Sequence, residues 1–501
     1  MAVAEGVGVP APGVGETGVA AHEGELKPPA AVKFFYSLGQ VVESGYIAIN
    51  GFIFFYYTAV LGLSGTLVGV ALAISLCLDA AADPLIGSWS DSVRSRFGRR
   101  LPVMLLGAPL TMVTMGLLFA PPSGLSPFLL FLWLTLAKMG VRAAASMFNI
   151  PFFALGGEMA DGYIERARIV AYRLLGGIVA TVGITYVAFA FFFTGEAGLQ
   201  RQAAYPTFGW TIAVIILVLA LLSCAGVWRY AASLPQPTVR PDPMLPRLAG
   251  ELREIFRNRS FRILFASMVV FASAAGVNTA LNNHTYVFVW RLPPGTIQFV
   301  AYALLAGITA GIPLTPPLLR RMEKKTVVFV GFAVLIIAWV ILPLLWAAGM
   351  YRPSGAEVLP WLLASTFVTG IGTGLILIAY PSMMADAAEE HEHLYGHRRE
   401  GLFFSGLGFA GKAAAGVGTM VGGFALDLMR FPREAGKQVG AVVDADILST
   451  LVLAWGPLPS AMCVVGALIF LPYAITRARH DEVAAALKVK RASDVAAGRS
   501  S

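Results

Sequence analysis

Between Phe34 and Thr476 the chain is a succession of long apolar stretches, and this limits its fold more than any other feature. The hydrocarbon core of a bilayer takes about 20 helical residues to cross. Only structures that satisfy their backbone polar groups internally can stay there. Stretches of that length fall at 34–60, 65–89, 102–121, 126–156, 168–194, 208–232, 262–290, 296–319, 326–349, 358–384, 400–428 and 448–476. Several are longer than a bilayer needs, which implies tilt or extension into the cytoplasm. The expected fold is all-α and integral to the membrane, with 12 transmembrane helices. Only 13% of the 501 residues are charged and 57% are hydrophobic, about half the charge of a soluble domain. The net charge of +8 then reads as basic loops against anionic lipid, not as binding to nucleic acid. Cys77, Cys224 and Cys463 all fall in expected spans, without metal-ligand spacing or an expected disulfide.

Lys and Arg set the orientation. Arg94, Arg96, Arg99 and Arg100 follow the second stretch, Arg166 and Arg168 the fourth, Arg320, Arg321, Lys324 and Lys325 the eighth, and Arg398 and Arg399 the tenth. The connections at 61–65 and 121–126 hold no Lys or Arg, while 429–446 carries both signs. By the positive-inside rule both termini are cytoplasmic, and the expected location is the plasma (inner) membrane. The chain also repeats. Gly98-Arg99-Arg100 has its counterpart in Glu323-Lys324-Lys325, and Met159-Ala160-Asp161 in Met384-Ala385-Asp386, both 225 positions later. Two parallel six-helix halves follow. The expected organisation is a disordered tail at 1–32 with no secretory signal, a first bundle at 33–232, a proline-rich cytoplasmic linker at 233–260, a second bundle at 261–477 and a cytoplasmic tail at 478–501.

Few strongly polar residues stand inside the stretches: Glu43, Asp79, Asp83, Ser146, Asn149, Arg173 and Lys412, with Asn278, Asn282, Asn283 and His284 in the seventh. Asp79 and Asp83 are four apart and so share a helix face. Two carboxylates on one face at bilayer depth require a cation, a proton or a basic partner. That is the chemistry of a cation-coupled transporter. An asparagine in a membrane helix serves as readily for helix-to-helix hydrogen bonding as for ligand contact, and His284 reads as a wetted residue near an outer end. No nucleophile–base pair or His-rich metal motif appears at helix depth, so an enzyme is not expected and no cofactor is implied.

The run Asp79-x-x-x-Asp83-Pro84-x-x-Gly87, then Asp91 and Arg94-Ser95-Arg96-Phe97-Gly98-Arg99-Arg100-x-Pro102, resembles the signature of the glycoside–pentoside–hexuronide:cation symporters, the melibiose-permease group of the major facilitator superfamily. The likeness continues in Asn149-Ile150-Pro151-Phe152, Arg173, Arg398-Arg399-Glu400-Gly401 and Lys412. It implies that Asp79 and Asp83 are cation-site carboxylates, with Ser146 as a hydroxyl ligand and Lys412 facing them. It implies that Glu43 and Arg173 hold sugar hydroxyls, with Phe153 as a stacking face where the melibiose permeases carry tryptophan. Asn149, on both the cation and the substrate side, stands where that group has aspartate, and Ala82 replaces an amide. A hard cation wants several oxygen ligands, whereas a proton needs one carboxylate. The coupling ion is therefore expected to be H⁺, with Na⁺ at Asp79 and Asp83 as the alternative.

Asp91 with Arg94 or Arg99, and Asp161 and Asp386 with their neighbouring arginines, are expected to make contacts that hold one access state and break in the other. Lys324 and Lys325 read as a solvated loop. The run Glu389-Glu390-His391-Glu392-His393 reads as a wet cytoplasmic loop without metal. The expected activity is symport of a sugar, glycoside or uronate with H⁺ or Na⁺ by a monomer. A lysolipid-like substrate is the runner-up, and a receptor or intramembrane enzyme a remote third.

Overall fold

The computed structural model describes residues 26–93, 95, 97–160, 162–234, 253–397, 400–433, 435–438 and 440–496, except for the side chains of 77–82, 84, 88, 163 and 491–496. Expectations for the first 25 residues, the five prolines of the linker, Arg94, Asp161, Arg398, Arg399 and the side chain of Asp79 therefore lie outside the described residues.

Apolar periodicity becomes helix wherever a long apolar run is bounded by Pro, Gly, Ser or Asn. The spans are α1 (Ala30–Val60), α2 (Gly65–Ser92), α3 (Leu101–Phe119), α4 (Pro127–Glu158), α5 (Ile164–Phe192), α6 (Ala204–Ala232), α7 (Arg259–Val289), α8 (Ile297–Arg321), α9 (Lys324–Ala347), α10 (Leu359–Tyr395), α11 (Glu400–Leu428) and α12 (Ala445–Phe470). Ser126 caps α4 by accepting from Leu129 N, and Asn258 caps α7 by accepting from Phe261 N. The first half opens three residues before the expected boundary, at Ala30. A further helix, α13 (Arg477–Ala496), forms from the expected tail and buries Val483 and Leu487.

Within the first half α3 packs on α4 and α6; within the second α8 packs on α10 and α7 on α11 and α12. Between the halves the main seam is α2 against α11. Glycine makes this seam possible: a Cβ on Gly65 would stand 2.5 Å from the Gly423 carbonyl oxygen, so the backbones can approach only without side chains there. A cluster of hydrogen bonds joins the halves at the end opposite the arginine turn. Asp427 of α11 accepts from the Ser64 hydroxyl at 2.5 Å and from the backbone N–H of Gly65 and Thr66 at 3.1 and 2.8 Å. The first turn of α2 is thus capped by the other half. Asn283 donates to the Gly51 carbonyl at 2.6 Å, and Gln200 to the Ala435 and Gln438 carbonyls.

The halves repeat in detail at this end. Helix α1 closes with a wide turn at Tyr56–Val60, and Leu61 N and Leu63 N donate to the Tyr56 and Tyr57 carbonyls at 2.9 Å. Helix α7 closes the same way at Thr285–Val289, where Trp290 N and Leu292 N donate to the Thr285 and Tyr286 carbonyls at 2.9 Å. Gly62 between the first pair of donors has φ 78°, and Arg291 between the second has φ 46°.

Three expectations are corrected here. The run Glu389–His393 is not a loop; it is the last part of α10, which outruns the membrane, and His391 is fully buried. Lys324 does more than face water: its ammonium lies 2.6 Å from Asp386, with a third of the side chain left exposed. His284 is not wetted: it is buried between the halves, with Nε2 2.9 Å from the Thr58 hydroxyl and the rings of Phe54, Phe55 and Phe431 around it.

Candidate functional site

Midway along α2, Asp83 faces both halves. Its Oδ1 accepts from the Ser146 hydroxyl of α4 at 2.8 Å, and its Oδ2 lies 2.9 Å from the Lys412 ammonium of α11. The structure thus brings Asp83, Ser146 and Lys412 together. The Asp83 and Lys412 side chains remain 29% and 39% exposed, enough for an ion to arrive from water. Asp79 occupies the preceding turn of the same helix.

Beside it a second group forms between α1 and α4. Asn149 Nδ2 donates to Glu43 Oε2 at 2.7 Å, while Arg142 approaches the same oxygen from behind at 3.6 Å. The amide orientation leaves Asn149 Oδ1 buried and without a donor among the described residues. Arg142 and Lys138 both stand over the Tyr46 ring, 4.9 and 4.1 Å from its centre, and the Lys138 ammonium donates to Asn50 Oδ1. On α5, Arg173 stacks on Phe153, 4.8 Å from the ring centre. Phe153 keeps 38% exposure, a bare aromatic face beside a guanidinium.

Sequence reasoning passed over Lys138, Arg142, Tyr46 and Asn50. The signal was present: Lys138, Arg142, Ser146, Asn149 and Phe153 recur every three or four residues, which gives one stripe along α4. These two cations share the helix face that carries the expected site residues.

At the arginine-rich end the expected contacts form with changed partners. Asp91 sits 2.5 Å from Arg100 and 4.0 Å from Arg99. Both arginines also clamp Glu158, at 2.6 and 2.7 Å, a partner that the sequence reading did not name. The second half repeats the construction: a base at the start of α9, Lys324, meets an acid on α10, Asp386. Here α13 adds His480, 3.6 Å from Asp386 and 3.4 Å from Glu389, and Arg477 N donates to Glu323 at 3.0 Å. Lys33 pairs with Glu165 at 2.6 Å and ties α1 to α5.

Twelve spanning helices in two related halves, with ionisable side chains gathered where the halves face each other, define a multi-pass secondary transporter. The chain belongs to the MFS/sugar transport protein family, which it matches over residues 35–477. It is similar to the glucuronide carrier protein homolog of Escherichia coli (strain K12), with 27% identity over 78% of this chain and 82% of that protein. It is also similar to the isoprimeverose transporter of Lactiplantibacillus pentosus, with 25% identity over 79% of this chain and 80% of that one. In fold it is similar to a bacterial homolog of the human lysosomal transporter Spinster, solved inward-facing and unoccupied: TM-score 0.60 and 13% identity, over 88% of this chain and 95% of that one.

Proposed function

We propose that this protein carries a sugar-type solute across the plasma membrane together with one H⁺, which binds at Asp83. The observation that carries the reading is the division of one carboxylate between the two halves: Ser146 holds Oδ1 and Lys412 holds Oδ2. With Asp83 ionised, the ammonium offsets its partly buried charge and ties α2 to α11. A proton on Asp83 removes the charge that Lys412 neutralises, and the tie is lost. The halves are then released to rock, so cation arrival is linked to access. Asp79, one turn away, is the second coupling carboxylate, and Asp91, Arg99 and Asp386 belong to contacts that hold the present state.

The solute sits beside this point. Glu43 and Arg173 offer charge-assisted hydrogen bonds to hydroxyls, the unsatisfied Asn149 Oδ1 accepts a further one, and Phe153 supplies the stacking face. The arginine-rich end faces the cytoplasm by the positive-inside rule, which makes this the inward-facing state, closed on the outside by the Asp427 cap. The test is uptake into proteoliposomes of a panel of labelled glycosides under a pH gradient or a sodium gradient. Accumulation driven by the pH gradient supports the reading; accumulation driven by sodium alone moves the coupling ion to Na⁺; no accumulation under either overturns symport.

A further inference from the structure

Lys138 is 2% exposed, yet its described partners, Asn50 Oδ1 and the Tyr46 ring, are both neutral. No carboxylate lies within ion-pair distance of it among the described residues. It stands 11 residues after Pro127 and 20 before Glu158, too deep for its side chain to reach either end of α4. Glu43, the acid of the adjoining group, is already engaged by Arg142 and Asn149. By sequence the middle of the spans holds four cations, Lys138, Arg142, Arg173 and Lys412, and three acids, Glu43, Asp79 and Asp83, an excess of one positive charge. An ammonium at bilayer depth is costly unless an anion meets it.

We infer that Lys138, supported by Arg142, is an anion-recognition site, and that the transported solute carries a carboxylate: a sugar acid or uronide in place of a neutral glycoside. This rests on the sugar-symport reading above. Lys138 lies between the Asp83 region and the closed end, so an incoming solute meets it when that end opens. In the closed state Asn50 and Tyr46 hold the ammonium with neutral groups, and a carboxylate displaces them because its charge-assisted bond is the stronger. The charges also match. A monoanion entering with one proton is a neutral load, so the carrier holds the same buried charge loaded and empty. A neutral glycoside entering with a proton would add a second uncompensated positive charge.

The test compares methyl β-glucuronide with methyl β-glucoside, which differ only at the carboxylate, in proteoliposomes of the full chain. The wild type should take the glucuronide with an affinity about tenfold or more above the glucoside. Lys138→Gln should bring that ratio towards one, and Lys138→Arg should restore it. If Lys138→Gln fails to insert, Asn50→Asp gives the ammonium an internal carboxylate and should suppress glucuronide uptake selectively. Gradient-driven uptake of the glucoside equal to or better than that of the glucuronide overturns this inference and leaves symport standing. A glucuronide preference unchanged in Lys138→Gln or Asn50→Asp overturns the assignment to Lys138. Accumulation of neither solute under a proton or a sodium gradient removes both readings together.

Discussion

The two halves share a frame and divide the chemistry. The wide closing turns of α1 and α7 match bond for bond, and the base-to-acid clamps match at Arg99, Arg100 and Glu158 and at Lys324 and Asp386. At mid-membrane the likeness ends. The first half carries Glu43, Asp79, Asp83, Lys138, Arg142 and Arg173; the second carries Lys412. The amides of α7 belong to packing: Asn278 donates to the Trp455 carbonyl at 3.0 Å, and Asn282 accepts from the Trp455 indole at 2.6 Å. What repeats is scaffold, and what does not repeat is the site.

Six substitutions can break or sharpen that division. Asp83→Asn in the first half should abolish gradient-driven accumulation while downhill exchange persists, the largest effect. Lys412→Ala should impair coupling as well, and the double variant should be no worse than Asp83→Asn alone, because the two residues act as one contact. Additive losses in downhill exchange would show that the halves act independently. Asn149→Ala should weaken substrate binding by about fivefold, the worth of a neutral hydrogen bond, whereas Asn278→Ala in the second half should leave affinity alone; binding calorimetry on both decides. Asp427→Ala removes the cap on α2 and should shift the population towards opening at that end. The expected size is about 1 kcal/mol, read as lengthened spin-label distances across the closed end, with substrate affinity at each face unchanged. Last, Arg291→Gly should raise the melting temperature slightly, by less than about 1 kcal/mol in stability, because a left-handed backbone costs an arginine what it spares a glycine at Gly62.

Much of this was legible because charge in an apolar helix is rare and expensive. Asp83, Ser146, Asn149 and Lys412 stand out against their stretches, and Asp83 meets Ser146 and Lys412 while Asn149 meets Glu43. Lys138 and Arg142 were equally visible as residues. Their meaning depended on the α4 stripe, which shows only when all its polar positions are read together. Glu158 and Asp427 were hidden for another reason. Each stands near a helix end, where an acid ordinarily meets water, and only the packing of α3 on α4 or of α2 on α11 supplies its partners. The run 389–393 misled because charge was read as loop; it is the last part of α10, a helix longer than the membrane is thick.

The Asp427 cap has a mechanical consequence. Gly65 and Asp83 are 18 residues apart on α2, about 27 Å along a helix. If α2 tilts against α11 with Asp83 near the pivot, a swing of about 10° carries Gly65 by about 5 Å, far past hydrogen-bond reach. The same swing scarcely moves the pivot. One contact on this lever is then a fine adjustment and the other a snap fastener, which leaves the outer door no stable position between shut and open.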